Sequence, residues 1–272
     1  MGVDLRTAEF LASEARRGVD FSRTLTLGRQ SLCMARKEYA AVFPGGIPPE
    51  PDPSGQFADD LLAALGAKTI DAIDVSGYEG ANLIHDLNTP LVVGRGQRWT
   101  CVFDGGALEH IFHFPAAIKS CMEATAVGGH FLSVCPWTGF AGHGFYQFSP
   151  ELLYRVLSSA NGFKVERMLF RYGEEWREIL DPQITGRRFE YQSRDATLLF
   201  VSARRTHEAP ILAQPPQQSD YVTMWSAAPP RRVLPGFAGR VADALAPGLT
   251  ARLRAWREER RTLDHGTVRT NL

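Results

Sequence analysis

Short apolar runs alternate with stretches of helical period along the first three quarters of the chain, and the alternation ends near position 204. Thr24–Gly28 (TLTLG), Thr69–Ser76 (TIDAIDVS), the start of Trp99–Pro115 (WTCVFDGGALEHIFHFP), Gly128–Pro136 (GGHFLSVCP), Phe163–Phe170 and Ala196–Ala203 read as strands. Leu5–Arg16, Ser31–Val42, Phe57–Gly66 and Phe114–Ala126 read as helices, the last with Ala117, Cys121 and Ala124 inward and Gly128-Gly129 ending it. Strands that alternate with helices call for parallel crossovers. The pattern therefore predicts an α/β fold built on a doubly wound, Rossmann-like sheet.

Open sheets of this kind bind ligands in the crevice outside the carboxyl ends of their strands. Three groups of polar residues fall there. Asp74 closes the second strand, where one carboxylate can accept hydrogen bonds from both hydroxyls of a ribose. Asp104, Glu109 and His110 follow the Trp99 strand through a Gly-Gly turn, at the expected start of a helix. Pro136–Leu153 (PWTGFAGHGFYQFSPELL) brings aromatics, glycines and His143 into one connection, and its Ser149-Pro150-Glu151 is a helix-start signal.

Each group is open to two readings. His143 is placed to take a proton from a hydroxyl or amine nucleophile, or is a backbone-bonded histidine beside aromatics that pack under the next helix. Glu109 anchors a ligand hydroxyl or orients His110, or only complements a helix dipole. His110 and His113 stand three apart, but HIFH lacks the H-E-x-x-H frame, so no metal is expected.

The order of motifs resembles the class I S-adenosylmethionine-dependent methyltransferases, particularly small bacterial ones of the broad methyltransferase-domain type. The matching pieces are TLTLG (Thr24–Gly28), AIDVS (Ala72–Ser76), HDLNTPL (His85–Leu91), FDGGALEHI (Phe103–Ile111) and VGGHFLSV (Val127–Val134), and the resemblance spans roughly residues 20–204. It implies a seven-stranded, mostly parallel sheet whose late strands include one antiparallel member, and S-adenosylmethionine as cofactor. It also implies that Gly28 and Asp74 hold the cofactor, with Asp86 and Leu87 near the adenine. Asp104 to His110 would border the substrate, and His143, Phe145 and Tyr146 would shape the pocket of a small acceptor, His110, His143 and Tyr146 acting on it.

Two departures stand out. Gly28 is followed by Arg29-Gln30-Ser31-Leu32, where the family carries further glycines that let backbone N–H groups approach the cofactor. Arg29 either grips a carboxylate, such as the methionine end of the cofactor, or is salt-bridged in a fold that has lost its cofactor. The gap from Gly28 to Asp74 is also about twice the usual spacing of roughly 20 residues, and it holds the Pro- and Gly-rich loop Phe43–Gly55, read as a lid or a disordered insertion.

The 272 residues suit one α/β domain, 1–204, plus an extension, 205–272. Thr206–Pro235 is rich in Pro, Gln and Ser and reads as an extended tract. Phe237–Arg261 reads as one or two amphipathic helices, with Val241, Leu245, Leu253 and Trp256 apolar; docking on the parent domain is the default, and a homodimer contact the alternative. Lys plus Arg equals Asp plus Glu, 30 each, so no electrostatic footprint for nucleic acid exists. Neither a bilayer-length apolar run nor the apolar core of a secretion signal is present, and a cytoplasmic location is expected. Cys33, Cys101, Cys121 and Cys135 lack paired spacing and read as small buried hydrophobes. Two functions are expected: methyl transfer to a small molecule, or ligand or partner binding by a methyltransferase-shaped protein that no longer binds its cofactor.

Overall fold

The computed structural model describes residues 2–43, 57–191, 193, 195–226, 263 and 266–272. From position 44 onward the Phe43–Gly55 loop lies outside the described residues, and so do the helices expected over Phe237–Arg261.

The strands are β1 (Gly2–Val3), β2 (Arg23–Leu27), β3 (Ser31–Leu32), β4 (Thr69–Asp74), β5 (Leu83–Ile84), β6 (Trp99–Asp104), β7 (Thr125–Thr138), β8 (Phe163–Tyr172), β9 (Glu175–Ile179), β10 (Thr197–Arg205) and β11 (Thr267–Thr270). The helices are α1 (Leu5–Arg16), α2 (Arg36–Val42), α3 (Asp59–Ala64), α4 (Phe114–Ala124), α5 (Pro150–Val156), α6 (Pro182–Thr185) and α7 (Ser219–Ser226). Ser149 caps α5 by accepting from Leu152 N, as its start signal predicts, and Asp4 caps α1 by accepting from Thr7 N at 2.8 Å.

Among the described residues, nine strands form one sheet in the order β11-β9-β8-β10-β7-β6-β2-β4-β5, while β1 and β3 pair separately. The pairs β5/β4, β4/β2, β2/β6 and β6/β7 are parallel, and β7/β10, β10/β8, β8/β9 and β9/β11 are antiparallel. Strand order reverses between β2 and β6, so the crevice of a doubly wound sheet opens at the ends of those strands. The expected count of seven is corrected to nine, and the sheet is mixed rather than mostly parallel. The extra strands arise because Gly173, with φ +58°, turns β8 back in a tight hairpin. Trp176 and Ile179 of β9 then bury on opposite faces, and β11 adds outside it.

The sheet is covered on both faces, as residue alternation along β6 requires. Val102 packs with α4 and α5 through Ile118, Met122 and Leu153; Cys101 and Phe103 pack with α1 and α3 through Phe10, Leu11 and Leu61. Five other expectations change. Ser31–Val42 is a two-residue strand followed by a short helix, because Ser31 and Leu32 pair with β1. Gly128 and Gly129 lie inside β7 rather than ending α4, where Gly129 lets Thr100 O approach to 2.6 Å of where a β-carbon would stand. The sheet is not confined to residues 1–204, since β11 belongs to it, and Thr206–Pro235 is not extended throughout, since Ile211 is buried and α7 lies within it. Cys33 is exposed; only the other three cysteines are buried.

Candidate active site

The carboxyl ends of β2, β4 and β6 bring the sequence-derived candidates to one edge of the sheet. Gly28 leaves β2 with φ +66°, a left-handed backbone that favours glycine. A β-carbon there would stand 3.5 Å from Asp74 Oδ2, with no other group within 4 Å. Asp74 Oδ1 is taken by its own turn, accepting from Ser76 N at 3.1 Å. Gly28 and Asp74 thus face each other at the carboxyl ends of the adjacent strands β2 and β4.

Arg29 does not stand beside Gly28 as a free cation. Its guanidinium reaches Asp59 Oδ2 at 3.3 Å, donates to Glu79 O at 3.4 Å and lies 3.9 Å over the Phe57 ring. It straps the approach to α3 onto the loop after β4. Gln30, one of the bulky residues that stand where the family carries further glycines, is buried at the β2/β6 switch point: Nε2 donates to Leu27 O at 2.6 Å, and the carboxamide packs against Gly105 so closely that no β-carbon fits on residue 105. Its Oε1 has no hydrogen-bond partner among the described residues.

Past β5, Asp86 is exposed and its carboxyl is held below the usual range by the Asn88 backbone and side-chain amides, while Leu87 is buried in the core. Leu87 is therefore a support for this edge and Asp86 a turn former that faces outward. Asp104 is wholly buried and turned inward. Oδ1 accepts from Gly106, Ala107 and Leu108 N–H groups and Oδ2 from Ser133 Oγ at 2.8 Å, so its carboxylate is consumed in shaping the turn. Burial pushes its pKa up, and those hydrogen bonds oppose the shift.

That turn sets the other half of the site. Leu108–His110 is a single 3-10 turn, and α4 begins only at Phe114, so His110 and His113 do not share a helix face. His113 instead bonds Asn88, with Nδ1 3.0 Å from its carbonyl oxygen. His110 meets His143, ring centroids 5.1 Å apart in an edge-on arrangement. His143 Nε2 stands 3.8 Å from Glu109 Oε1. The contact between the two segments is fixed by the backbone: Glu109 O accepts from Phe145 N at 2.8 Å and Tyr146 N at 3.2 Å.

Glu109 is 0 % exposed, and neither carboxylate oxygen has a hydrogen-bond partner among the described residues. Burial, and then the nearby Asp104, push its pKa up to about 8. Burial, and then His143, lower the pKa of the outward-facing His110, which favours its neutral form. Tyr146 donates to Phe112 O at 2.6 Å, so its hydroxyl locks the loop onto the segment before α4. Phe112 and Phe145 stack edge-on 5.7 Å apart and stay 71% and 66% exposed, giving the site an apolar rim. Among the residues expected to act on an acceptor, the structure brings His110 and His143 together and gives Tyr146 a positioning contact.

No protein-family profile and no curated protein matches the sequence. Solved structures that it resembles are S-adenosylmethionine-dependent methyltransferases. The N-methyltransferase NodS from Bradyrhizobium japonicum WM9, in complex with S-adenosyl-L-homocysteine, is 14% identical, with TM-score 0.41 over 74% of this chain and 86% of that one. The S-adenosylmethionine-dependent methyltransferase from Mesorhizobium loti is 15% identical, with TM-score 0.38 over 71% and 96%. At that level the resemblance carries neither residue roles nor activity. Among the described residues, no helix is long and apolar enough to cross a membrane.

Proposed function

We propose that this chain transfers a methyl group from S-adenosylmethionine to a small-molecule acceptor. The observation that carries the reading is the approach of Gly28 to Asp74: an acidic residue closes the second parallel strand beside a left-handed glycine that puts no side chain in front of it. These residues fit the ribose of a nucleoside, and Asp86 marks the loop on the adenine side. Bound there, the cofactor supplies a sulfonium methyl already activated for displacement, so the protein's contribution is alignment.

The acceptor side is built by the two clamped loops. Phe112 and Phe145 offer apolar faces that exclude water from a seated acceptor, and Tyr146 holds them in register through Phe112 O. His110 and His143 present imidazoles beside that rim, placed to take the proton that a hydroxyl or amine nucleophile loses. Asp104 acts through the turn it ties rather than on the ligand.

One observation favours a second reading, ligand or partner binding without methyl transfer. Gln30 fills the β2/β6 switch point, the part of the crevice that further glycines would leave open to the rest of the cofactor. Calorimetry with S-adenosylmethionine and S-adenosylhomocysteine on the wild type and on Gln30→Gly separates the two. Binding by the wild type supports the transferase. Binding by Gln30→Gly alone supports a fold whose cofactor site is closed by that side chain. If neither protein binds either ligand at millimolar concentration, Gly28 and Asp74 do not form a nucleoside site and the transferase reading falls.

A further inference from the structure

We propose that Glu109, His110 and His143 bind one divalent transition-metal ion. One donor atom from each lies within 4.8 Å of the other two. Donors bound 2.0–2.2 Å from a tetrahedral ion stand roughly 3.4 Å apart, so the Nε2–Oε1 separation of 3.8 Å in His143 and Glu109 is within a small side-chain adjustment of ligation.

Glu109 supplies the independent observation. A fully buried carboxyl group that makes no hydrogen bond among the described residues is costly to keep, and at 3.8 Å His143 Nε2 is too far to supply one. A cation at this point gives it that partner. The two imidazoles complete a two-histidine, one-carboxylate set, which suits zinc, iron and related ions and is a poor match to magnesium or calcium, whose preferred ligands are all oxygen.

The site is also built to hold its shape. Glu109 is anchored by the two amides of Phe145 and Tyr146 on its carbonyl, and the loop that carries His143 is pinned by Tyr146 to Phe112. His110 and His143 are exposed while Glu109 is buried, so an ion would sit on the carboxylate with its remaining positions open toward the aromatic rim. Three protein ligands with an open position are the pattern of a catalytic rather than a structural ion. An acceptor oxygen bound there would lose its proton more readily, and the imidazoles would then serve as ligands instead of bases.

The test needs no methyl donor, so its failure is separate from any failure of the transferase reading. Full-length protein stripped with a chelator is titrated with zinc by calorimetry, and with cobalt by visible d–d absorption. One ion per chain is expected, with the cobalt band showing nitrogen and oxygen ligation. His110→Ala and His143→Ala, both at exposed positions, are expected to weaken zinc by more than about a hundredfold, beyond what losing an outer-shell partner costs. Glu109→Gln should do the same if it folds, and His113→Ala should bind as the wild type does. Absence of saturable binding, or binding that survives both single histidine variants, overturns the proposal.

Discussion

The carboxamide of Gln30 closes over the α-carbon of Gly105, so the end of β2 and the end of β6 are bridged by a buried side chain at the point where strand order reverses. A β-carbon on residue 105 would stand 2.7 Å from Gln30 Cδ and 3.2 Å from Phe103 Cζ. Gly105→Ala is therefore expected to destabilise the protein by about 1–3 kcal/mol, the usual range for overpacking. Gln30→Gly in the same chain removes the obstruction. The double variant should recover most of the loss, and a double-mutant cycle by urea unfolding measures the coupling. Additive effects would mean that the two residues do not share this space.

Asp71 and Asp74 lie on one strand but face different tasks. Asp71 is spent inside the protein, accepting from Trp99 Nε1 at 2.7 Å and Asn82 Nδ2 at 2.6 Å. Asp74 keeps Oδ2 toward Gly28. Asp74→Ala is expected to weaken S-adenosylhomocysteine by more than about tenfold, roughly 1.4 kcal/mol, with little change in unfolding midpoint. Asp71→Ala should do the reverse, lowering the midpoint while any affinity measured at the same temperature stays within about threefold. Calorimetry beside thermal unfolding distinguishes them.

What could be read from the chain follows from the range of each interaction. Two-residue alternation and helical spacing are local, so β2, β4, β6, β8 and β10 and the helices α1 and α4 are visible in TLTLG, TIDAID, WTCVFD and their neighbours. β9 and β11 are hidden because EWREI and TVRT are short and charged, and only a distant partner makes them strands. The same limit governs the site. The Asp74 strand and the LEH turn are local signatures, whereas the approach of His143 to Glu109 closes a loop of 34 residues and has no sequence period. Its trace is glycine: Gly139 and Gly144 both lie where a β-carbon would strike another segment, Ala196 in the first case and Glu109 in the second. The expectation that no metal binds weighed His110 and His113 along one helix, whereas the cluster Glu109, His110 and His143 is drawn from two loops.

Gly144 tests that contact directly. A β-carbon there would be 2.8 Å from Glu109 O, which is backbone and cannot swing aside. Gly144→Ala should push the loop away, break the amide bonds from Phe145 and Tyr146 and separate His143 from His110. Hydrogen exchange at the Phe145 and Tyr146 amides should accelerate while exchange in β6 and β7 stays slow. Loss of zinc or acceptor binding is expected with only about 1–3 kcal/mol of global destabilisation. Unchanged protection of those two amides would show that the loop is held by other contacts.

Arg205 is the strongest case for a residue that a sequence reading assigns to the surface and the fold places inside. It is 1% exposed at the end of β10, and its Nη1 donates to the carbonyls of Met122, Glu123 and Thr125 at 3.1, 3.2 and 2.6 Å. Those oxygens belong to the last turn of α4 and the residue that follows, where carbonyls have no helical donor and the helix dipole favours a cation. Nη2 meets Glu208 at 3.1 Å, so the charge is compensated. Burial lowers the pKa of Arg205, but an arginine starts so high that it stays charged. Arg205→Met fills much of the volume and removes every donor, leaving the three carbonyls without their cation and Glu208 with Arg98 in place of both arginines. A loss of about 1–3 kcal/mol is expected from urea unfolding, the cost of leaving buried carbonyls without a donor. Arg205→Lys supplies a point charge without the planar fork and should recover only part of it. Recovery to wild-type stability in the lysine variant would show that charge alone, rather than the fan of hydrogen bonds, fixes α4 to the sheet.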